Sequence, residues 1–398
     1  MILGAGWETR SAALMIRVWG SSGVRWCIFL FLGLRLGLGA FALAARATHP
    51  GPFTSDPILR PYVGVKQETS SLLEPWQRWD TLYYQAIAER GYAAFESSVF
   101  APPLYPLLMR WAGWVFGGNT LLSGIIVSNL AYLAALIYFF KLVRMEGDER
   151  LAQIATLYLA IFPTAFFYLA AYAESLFLLA SVAAIYHARR KEWLLAGVWA
   201  FAAPLARVQG LAIAPALGYE AIRTWREVGT PRLKALIGLA MAGVGAIAFP
   251  IYALLALGKT LPGILTAHTG RFRGRFAVPG AAILIALGLL FRGQFLMADY
   301  FDLGFCLLFL ALTVLVLRWM PAIYGVYSIF MFLLILSKAS DFEALLSLSR
   351  YVLALFPAFI VLGRLGASKA WIHRLILYPS VAGLLFLTGQ FVIWGWVG

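Results

Sequence analysis

The chain has 398 residues, of which 62% are hydrophobic and only 13% charged, with a mean hydropathy of +0.81. A soluble domain is nearer ~45–50% apolar, so this composition excludes a soluble protein built on one large core. The formal charge of +14 does not indicate nucleic acid. Its basic excess sits in short turns between apolar runs, where the positive-inside rule accounts for it, and no basic-aromatic nucleic-acid motif is present.

Apolar stretches of ~18 residues or more recur along the chain, which predicts an all-α polytopic membrane protein. Helices are the default span because the bilayer offers the backbone no partner, and the alternation of barrel strands is absent. The first span is expected over Val24–Ala45, uncleaved and with its N-terminus inside, because Arg35 interrupts a run that is long for a signal-peptide core. Residues 46–117 read as the first outer loop, polar at first and then amphipathic. It ends in Phe100–Gly117, where Pro102, Pro103 and Pro106 suit a short or surface-lying helix.

Further spans are expected over Leu121–Val143, Ile154–Ala171, Ser175–Ala188, Trp193–Ala206, Leu211–Ile222 and Leu233–Leu257. Phe301–Leu317, Ala322–Ser337, Tyr351–Gly363 and Ile372–Trp396 complete about eleven crossings, with Val278–Phe291 placed at the outer surface. Arginine-rich turns at 144–150, 188–193, 223–234 and 364–374 are expected to share the cytoplasmic side. Pro204 and Pro215 break the run from Trp193 to Tyr219 into two short helices meeting at "ARVQG". With no internal repeat or linker, residues 1–398 read as a single integral-membrane domain.

This topology gathers polar residues on the outer side. In "WQRWDTLYYQAIAERGY" (76–92), Pro75 suits a first turn, and Trp76, Trp79, Tyr83 and Ile87 fall on one stripe suited to the headgroup interface. Asp80 and Tyr84 share a neighbouring edge, and no cation stands three or four residues from Asp80. Such a carboxylate is either a surface charge or a general base. Glu96 in "FESSVFAPPLYP" and Glu174 in "FPTAFFYLAAYAESLF" border apolar runs, and in isolation each reads first as a water-edge charge and only second as a functional acid. Arg207 with Gln209, and Arg350 with Tyr351, lie where a guanidinium either snorkels or grips a lipid phosphate through paired hydrogen bonds. Lys259, His268, Arg271, Arg273 and Arg275 form another outer basic loop.

Cys27 and Cys306 fall inside apolar segments and imply no disulfide framework. His49, His187, His268 and His373 are scattered, so no metal site is expected, and no Walker-type loop is present for a nucleotide donor. No cofactor is expected. An acid beside arginines suits transfer from a lipid-linked phosphosugar. One base suffices for a single inverting displacement, whereas a retaining hydrolase needs two close carboxylates. The alternative is a secondary transporter or lipid flippase; only the break between Pro204 and Pro215 favours it.

"RWDTLYYQAIAERGY" followed by "FESSVFAPPLYPLL" resembles the signature of the PIG-V-type mannosyltransferases, membrane glycosyltransferases of the GT-C class. "YAESLF", "LARVQGLAIAPAL" and "SRYVLALFPAFIVLG" resemble the family's later segments and arrive in the same order. The resemblance implies a GT-C fold and inverting transfer, usually of mannose, from a polyprenyl- or dolichyl-phosphate sugar to a glycan or glycolipid acceptor. It implies Asp80 as base, with Glu96, Tyr172, Glu174, Arg207 and Arg350 in the site. Short loops and an alanine- and leucine-rich composition point to a bacterial relative in the plasma membrane rather than a member of the endoplasmic reticulum.

Overall fold

The computed structural model describes residues 22–50, 54–56, 60–227, 231–269, 274–340 and 343–397. The described chain is helical apart from one two-stranded ribbon, so the all-α expectation is met. Among the described residues five helices, against about eleven crossings expected, are long and apolar enough to cross a membrane: α1 (Ser22–Thr48), α4 (Thr120–Glu146), α9 (Arg232–Leu255), α12 (Met297–Trp319) and α16 (Ala370–Val392). A sixth crossing is available if α14 (Leu348–Tyr351), the short turn after it, and α15 (Phe356–Ser368) count as one span bent by 80°. The protein is a multi-pass membrane protein.

Between these lie α2 (Asp80–Arg90), α3 (Leu104–Val115), α5 (Glu149–Ala160), α6 (Glu174–Arg189), α7 (Trp193–Ala206) and α8 (Ile213–Thr224). After α9 come the single-turn α10 (Leu261–Thr266), α11 (Ala281–Phe291) and α13 (Ala322–Leu336). The ribbon pairs β1 (Arg275–Phe276) antiparallel with β2 (Lys338–Ala339). Local chemistry sets several helix starts. Asn119 Oδ1 accepts the Leu122 N–H at 2.9 Å to open α4, and Asp148 Oδ1 accepts that of Leu151 at 2.7 Å to open α5.

Helix α6 is buried almost from end to end and packs between α4 and α7. Helix α7 lies closely on α9, because a side-chain carbon on Gly197 would overlap the Gly238 backbone. The outward faces are apolar, with Phe29, Leu36, Leu255 and Phe291 exposed as lipid-facing side chains.

The Arg-rich turns meet at one end of the bundle. Glu146 Oε1 accepts from Arg189 Nη2 at 3.1 Å and from the Tyr324 hydroxyl at 2.7 Å. Arg223 pairs with Glu220, Lys191 with Glu227 at 2.8 Å, and Arg364 Nη2 donates to the Glu146 carbonyl at 3.3 Å. Helix α6 runs from this end to the other, and its 16 residues span ~24 Å.

Two sequence expectations change. The span over 154–171 stops at Ala160, and residues 161–173 form a buried irregular stretch after Pro163 with a short 3-10 turn at Ala165–Tyr168. The stripe of Trp76, Trp79, Tyr83 and Ile87 is no interfacial face. Trp76 belongs to a separate 3-10 turn (Glu74–Trp76), α2 begins only at Asp80, and both Trp76 and Ile87 are buried.

Candidate active site

Asp80 is the first residue of α2, and Glu174 is the first residue of α6. The positive end of a helix dipole therefore meets each carboxylate. Arg207 follows α7, where Pro204 and the Val208–Ala212 3-10 turn end the helix. The turn is compact because Gly210 lies against the Ala203–Pro204 backbone, where a side-chain carbon would overlap it. The break read from "ARVQG" is thus present. Arg350 sits in α14, the single turn before the 80° bend.

These four residues form one alternating chain of charge. Arg350 Nη1 donates to Asp80 Oδ2 at 2.7 Å. Arg350 Nε lies 3.2 Å from Glu174 Oε1 but lacks the alignment of a hydrogen bond. Glu174 Oε1 also accepts from Arg207 Nη1, and Arg207 Nε reaches Gln209 Oε1 at 3.4 Å. The Tyr351 ring lies 5.2 Å from each guanidinium carbon. Asp80 is the most accessible of the four, with 27% of its side chain exposed, while Arg350 and Glu174 are buried. The partner of Asp80 is a distant one, Arg350, 270 residues away.

Tyr172 and Tyr84 complete the wall. The Tyr172 hydroxyl accepts the Asp80 backbone N–H and donates to the Arg78 carbonyl, both at 3.2 Å. Burial, with Asp80 beside it, raises the Tyr172 phenol well above its ordinary range, which keeps it able to donate and accept together. The Tyr84 ring packs edge-on against Tyr105 and Tyr172, and burial raises its phenol too. Burial alone would lower the Arg207 guanidinium, but Glu174, together with Tyr84 and Tyr351, offsets this and holds it above its ordinary value.

Asp80 is held by a strained backbone. Trp79 has φ 51° and ψ −119°, a conformation that costs a bulky residue ~1–3 kcal/mol unless its surroundings fix it. Arg78 points away from Asp80, as its spacing suggests. It is fully buried and donates to Glu74 Oε1 at 2.7 Å and to the Val392 carbonyl at 3.0 and 2.7 Å. Burial pushes its guanidinium down to about 10 against the pull of Glu74, so it remains charged at neutral pH.

A narrow cavity of about 10 Å³ lies against Glu174, Arg207, Gln209, Arg350 and Tyr351, with Phe177, Met331 and Leu353 as its apolar wall. That is room for about one water. Glu174 Oε2 is buried and has no hydrogen-bond partner among the described residues.

Of the expected site residues, Asp80, Tyr84, Tyr172, Glu174, Arg207, Gln209, Arg350 and Tyr351 come together. Glu96 does not. It is exposed on the loop after α2, and only its backbone carbonyl is engaged, by Lys259 Nζ at 3.2 Å. Arg271 and Arg273 lie outside the described residues. Sequence reading missed Asp302, whose Oδ1 accepts the Ser349 N–H at 2.7 Å, and Glu343, which accepts Trp396 Nε1 at 3.0 Å. Their only sequence signal was an acid in an apolar context. No group of three His, Cys, Asp or Glu residues stands close enough to hold a metal among the described residues.

Residues 41–228 match the family model for Mannosyltransferase (PIG-V). GPI mannosyltransferase 2 of Chaetomium globosum is 29% identical over 181 residues, covering 40% of this chain and 37% of the fungal protein. The match therefore spans well under half of that relative. Among solved structures, archaeal oligosaccharyltransferase AglB from Archaeoglobus fulgidus, in complex with an inhibitory peptide and a dolichol-phosphate, aligns with 90% of this chain and 56% of its own. The identity is 13% and the TM-score 0.43. ArnT from Cupriavidus metallidurans bound to undecaprenyl phosphate aligns with 78% of this chain and 71% of its own, at 13% identity and a TM-score of 0.48. The sequence match falls on the segment that carries Asp80, Tyr84, Tyr172, Glu174, Arg207 and Gln209, and over residues 41–228, a little under half of the chain, the protein is similar to the PIG-V mannosyltransferases.

Proposed function

We propose that the protein is an inverting GT-C glycosyltransferase that moves mannose from a polyprenyl-phosphate carrier to an acceptor hydroxyl at the outer face of a bacterial plasma membrane. The observation that carries this reading is the chain Asp80–Arg350–Glu174–Arg207, three of whose members line one narrow cavity. The placement of Asp80, Glu174 and Arg207 in the segment that matches the PIG-V family model supports mannose as the sugar.

In this reading the donor's tail stays in the bilayer and its phosphate takes the two guanidiniums, whose donors match phosphate oxygens in pairs. Arg350 then exchanges Asp80 for the phosphate. Asp80 takes the proton of the acceptor hydroxyl, the oxygen bonds to the anomeric carbon from the opposite face, and the bond from that carbon to the phosphate oxygen breaks. The electron pair leaves with the lipid phosphate, where Arg207 and Arg350 offset the added charge. Glu174 Oε2, buried and unpartnered, is placed to accept a hydroxyl of the sugar.

The test uses purified protein, polyprenyl-phosphate-mannose and a panel of alkyl glycoside acceptors. Asp80→Asn should keep its fold and lose ~10²–10⁴-fold in transfer rate, the usual contribution of a general base. Full transfer by this variant would remove Asp80 from the chemistry. Lipid movement across vesicles without sugar transfer by the wild type would favour a flippase instead.

A further inference from the structure

Asp80 and Arg350 must meet, yet each stands beside backbone that resists its own conformation. Trp79 precedes Asp80 at φ 51°, and Leu346 and Ser347 precede Arg350 at φ 39° and 61°. One short segment, residues 392–397, touches both turns. On the Asp80 side, the Trp79 ring lies edge-on to Trp394 and Trp396, with centroids 5.5 and 4.8 Å apart. The Val392 carbonyl holds the Arg78 guanidinium, whose carbon lies 4.9 Å from the Trp394 ring. On the Arg350 side, Trp396 Nε1 donates to Glu343 Oε1 at 3.0 Å, and Ser349 Oγ donates to the Val397 carbonyl at 3.3 Å. Trp396 thus contacts Trp79 with its ring and the 343–350 turn with its one polar hydrogen.

We propose that Trp394, Trp396 and Glu343 are positioning residues: they clamp the Trp79 turn to the 343–350 turn and so fix the geometry in which Arg350 holds Asp80 and hands it over to substrate. The inference rests on Asp80 and Arg350 acting as proposed above. None of the three positioning residues takes part in the bond changes. Misplacing a reacting group by ~1 Å can cost about a hundredfold in rate, so the clamp acts on turnover more than on affinity. Glu343 acts as an acceptor here. Burial raises its carboxyl above the ordinary range, and a neutral side chain of the same shape serves equally.

The experiment compares Trp396→Phe, Glu343→Leu, Glu343→Gln and Asp80→Asn in the full-length protein. It measures kcat, KM for polyprenyl-phosphate-mannose with an alkyl mannoside acceptor, and the thermal midpoint in detergent. Trp396→Phe keeps a ring against Trp79 and loses only the hydrogen bond. It should lower kcat about tenfold with KM and midpoint near wild type, within the loss expected of a misplaced base. Glu343→Leu should do the same, and the double variant Trp396→Phe with Glu343→Leu should lose no more than either alone. Glu343→Gln, which keeps the accepting oxygen, should stay within about twofold of wild type. Unchanged kcat in Trp396→Phe, or a fall that follows a lowered midpoint, overturns the clamp. An active Asp80→Asn sinks the underlying reading instead, so the two failures are told apart in one series.

Discussion

Arg350 is the residue on which the site turns, because among the described residues it alone pairs with both carboxylates. Lysine at this position keeps the charge but loses the planar fork, so it cannot hold Asp80 and approach Glu174 in the same geometry. Arg350→Lys should therefore fold and bind donor more weakly, with transfer reduced by ~10–100-fold, as expected when one of two charge-assisted contacts worth ~1.5–3 kcal/mol is lost. Steady-state kinetics over a range of donor concentrations checks this, and wild-type KM and kcat would count against it. The sequence already marked Asp80, Glu174, Arg207 and Arg350 individually, since a charge in an apolar run stands out. It set an acid beside arginines on one side, but did not say which acid pairs with which arginine. Asp80 and Arg350 are 270 residues apart, and only the packed bundle brings them together. Glu96 showed the opposite failure: its position in a motif said nothing of its exposure.

At the level of elements, the helices that were legible are those that continue unbroken. The Thr120–Glu146, Trp193–Ala206 and Ala322–Leu336 helices agree with sequence to within a few residues. The breaks were harder to read, and the site lies in the breaks: before α2, between α5 and α6, between α7 and α8, and around α14. The conformation there is set by tertiary contacts, such as the Tyr172 hydroxyl bridging Arg78 and Asp80, rather than by local propensity. Trp76 shows the cost. Helical spacing put it in phase with Ile87, but a 3-10 turn and a strained Trp79 intervene. The break after α7 gives the sharpest test. Gly210→Ala would press a side-chain carbon into the Ala203–Pro204 backbone, an overpacking worth ~1–3 kcal/mol, and would shift Arg207. Gly304→Ala, where nothing lies nearby, should be neutral or stabilising by ~0.5–1 kcal/mol. Thermal midpoints and transfer rates of the two variants should diverge; equal behaviour would deny Gly210 its role.

Across the whole molecule, the positive-inside pattern predicted that four basic turns share a side, and their ion pairs show that they do meet. What hydropathy could not supply was the acids that tie them. Glu146 is nearly enclosed and serves Arg189 and Tyr324 together. Removing it leaves Arg189 partly exposed and still near Glu220, so Glu146→Ala should cost ~2–3 kcal/mol, below the ~3–5 kcal/mol of a fully buried pair. Thermal unfolding in detergent reads this directly, with the donor KM unchanged because Glu146 lies at the far end of α6 from Glu174. The catalytic end differs in kind from this anchored end. Its two acids and two guanidiniums cancel, so this cluster is electrically balanced. Under the proposed reaction a phosphodiester donor would bring one negative charge, and the monoester left after transfer nearly two at neutral pH. On that reading the same pair of arginines would release a more tightly held anion than the one it captured, and departure of the spent carrier is expected to set the pace of the cycle.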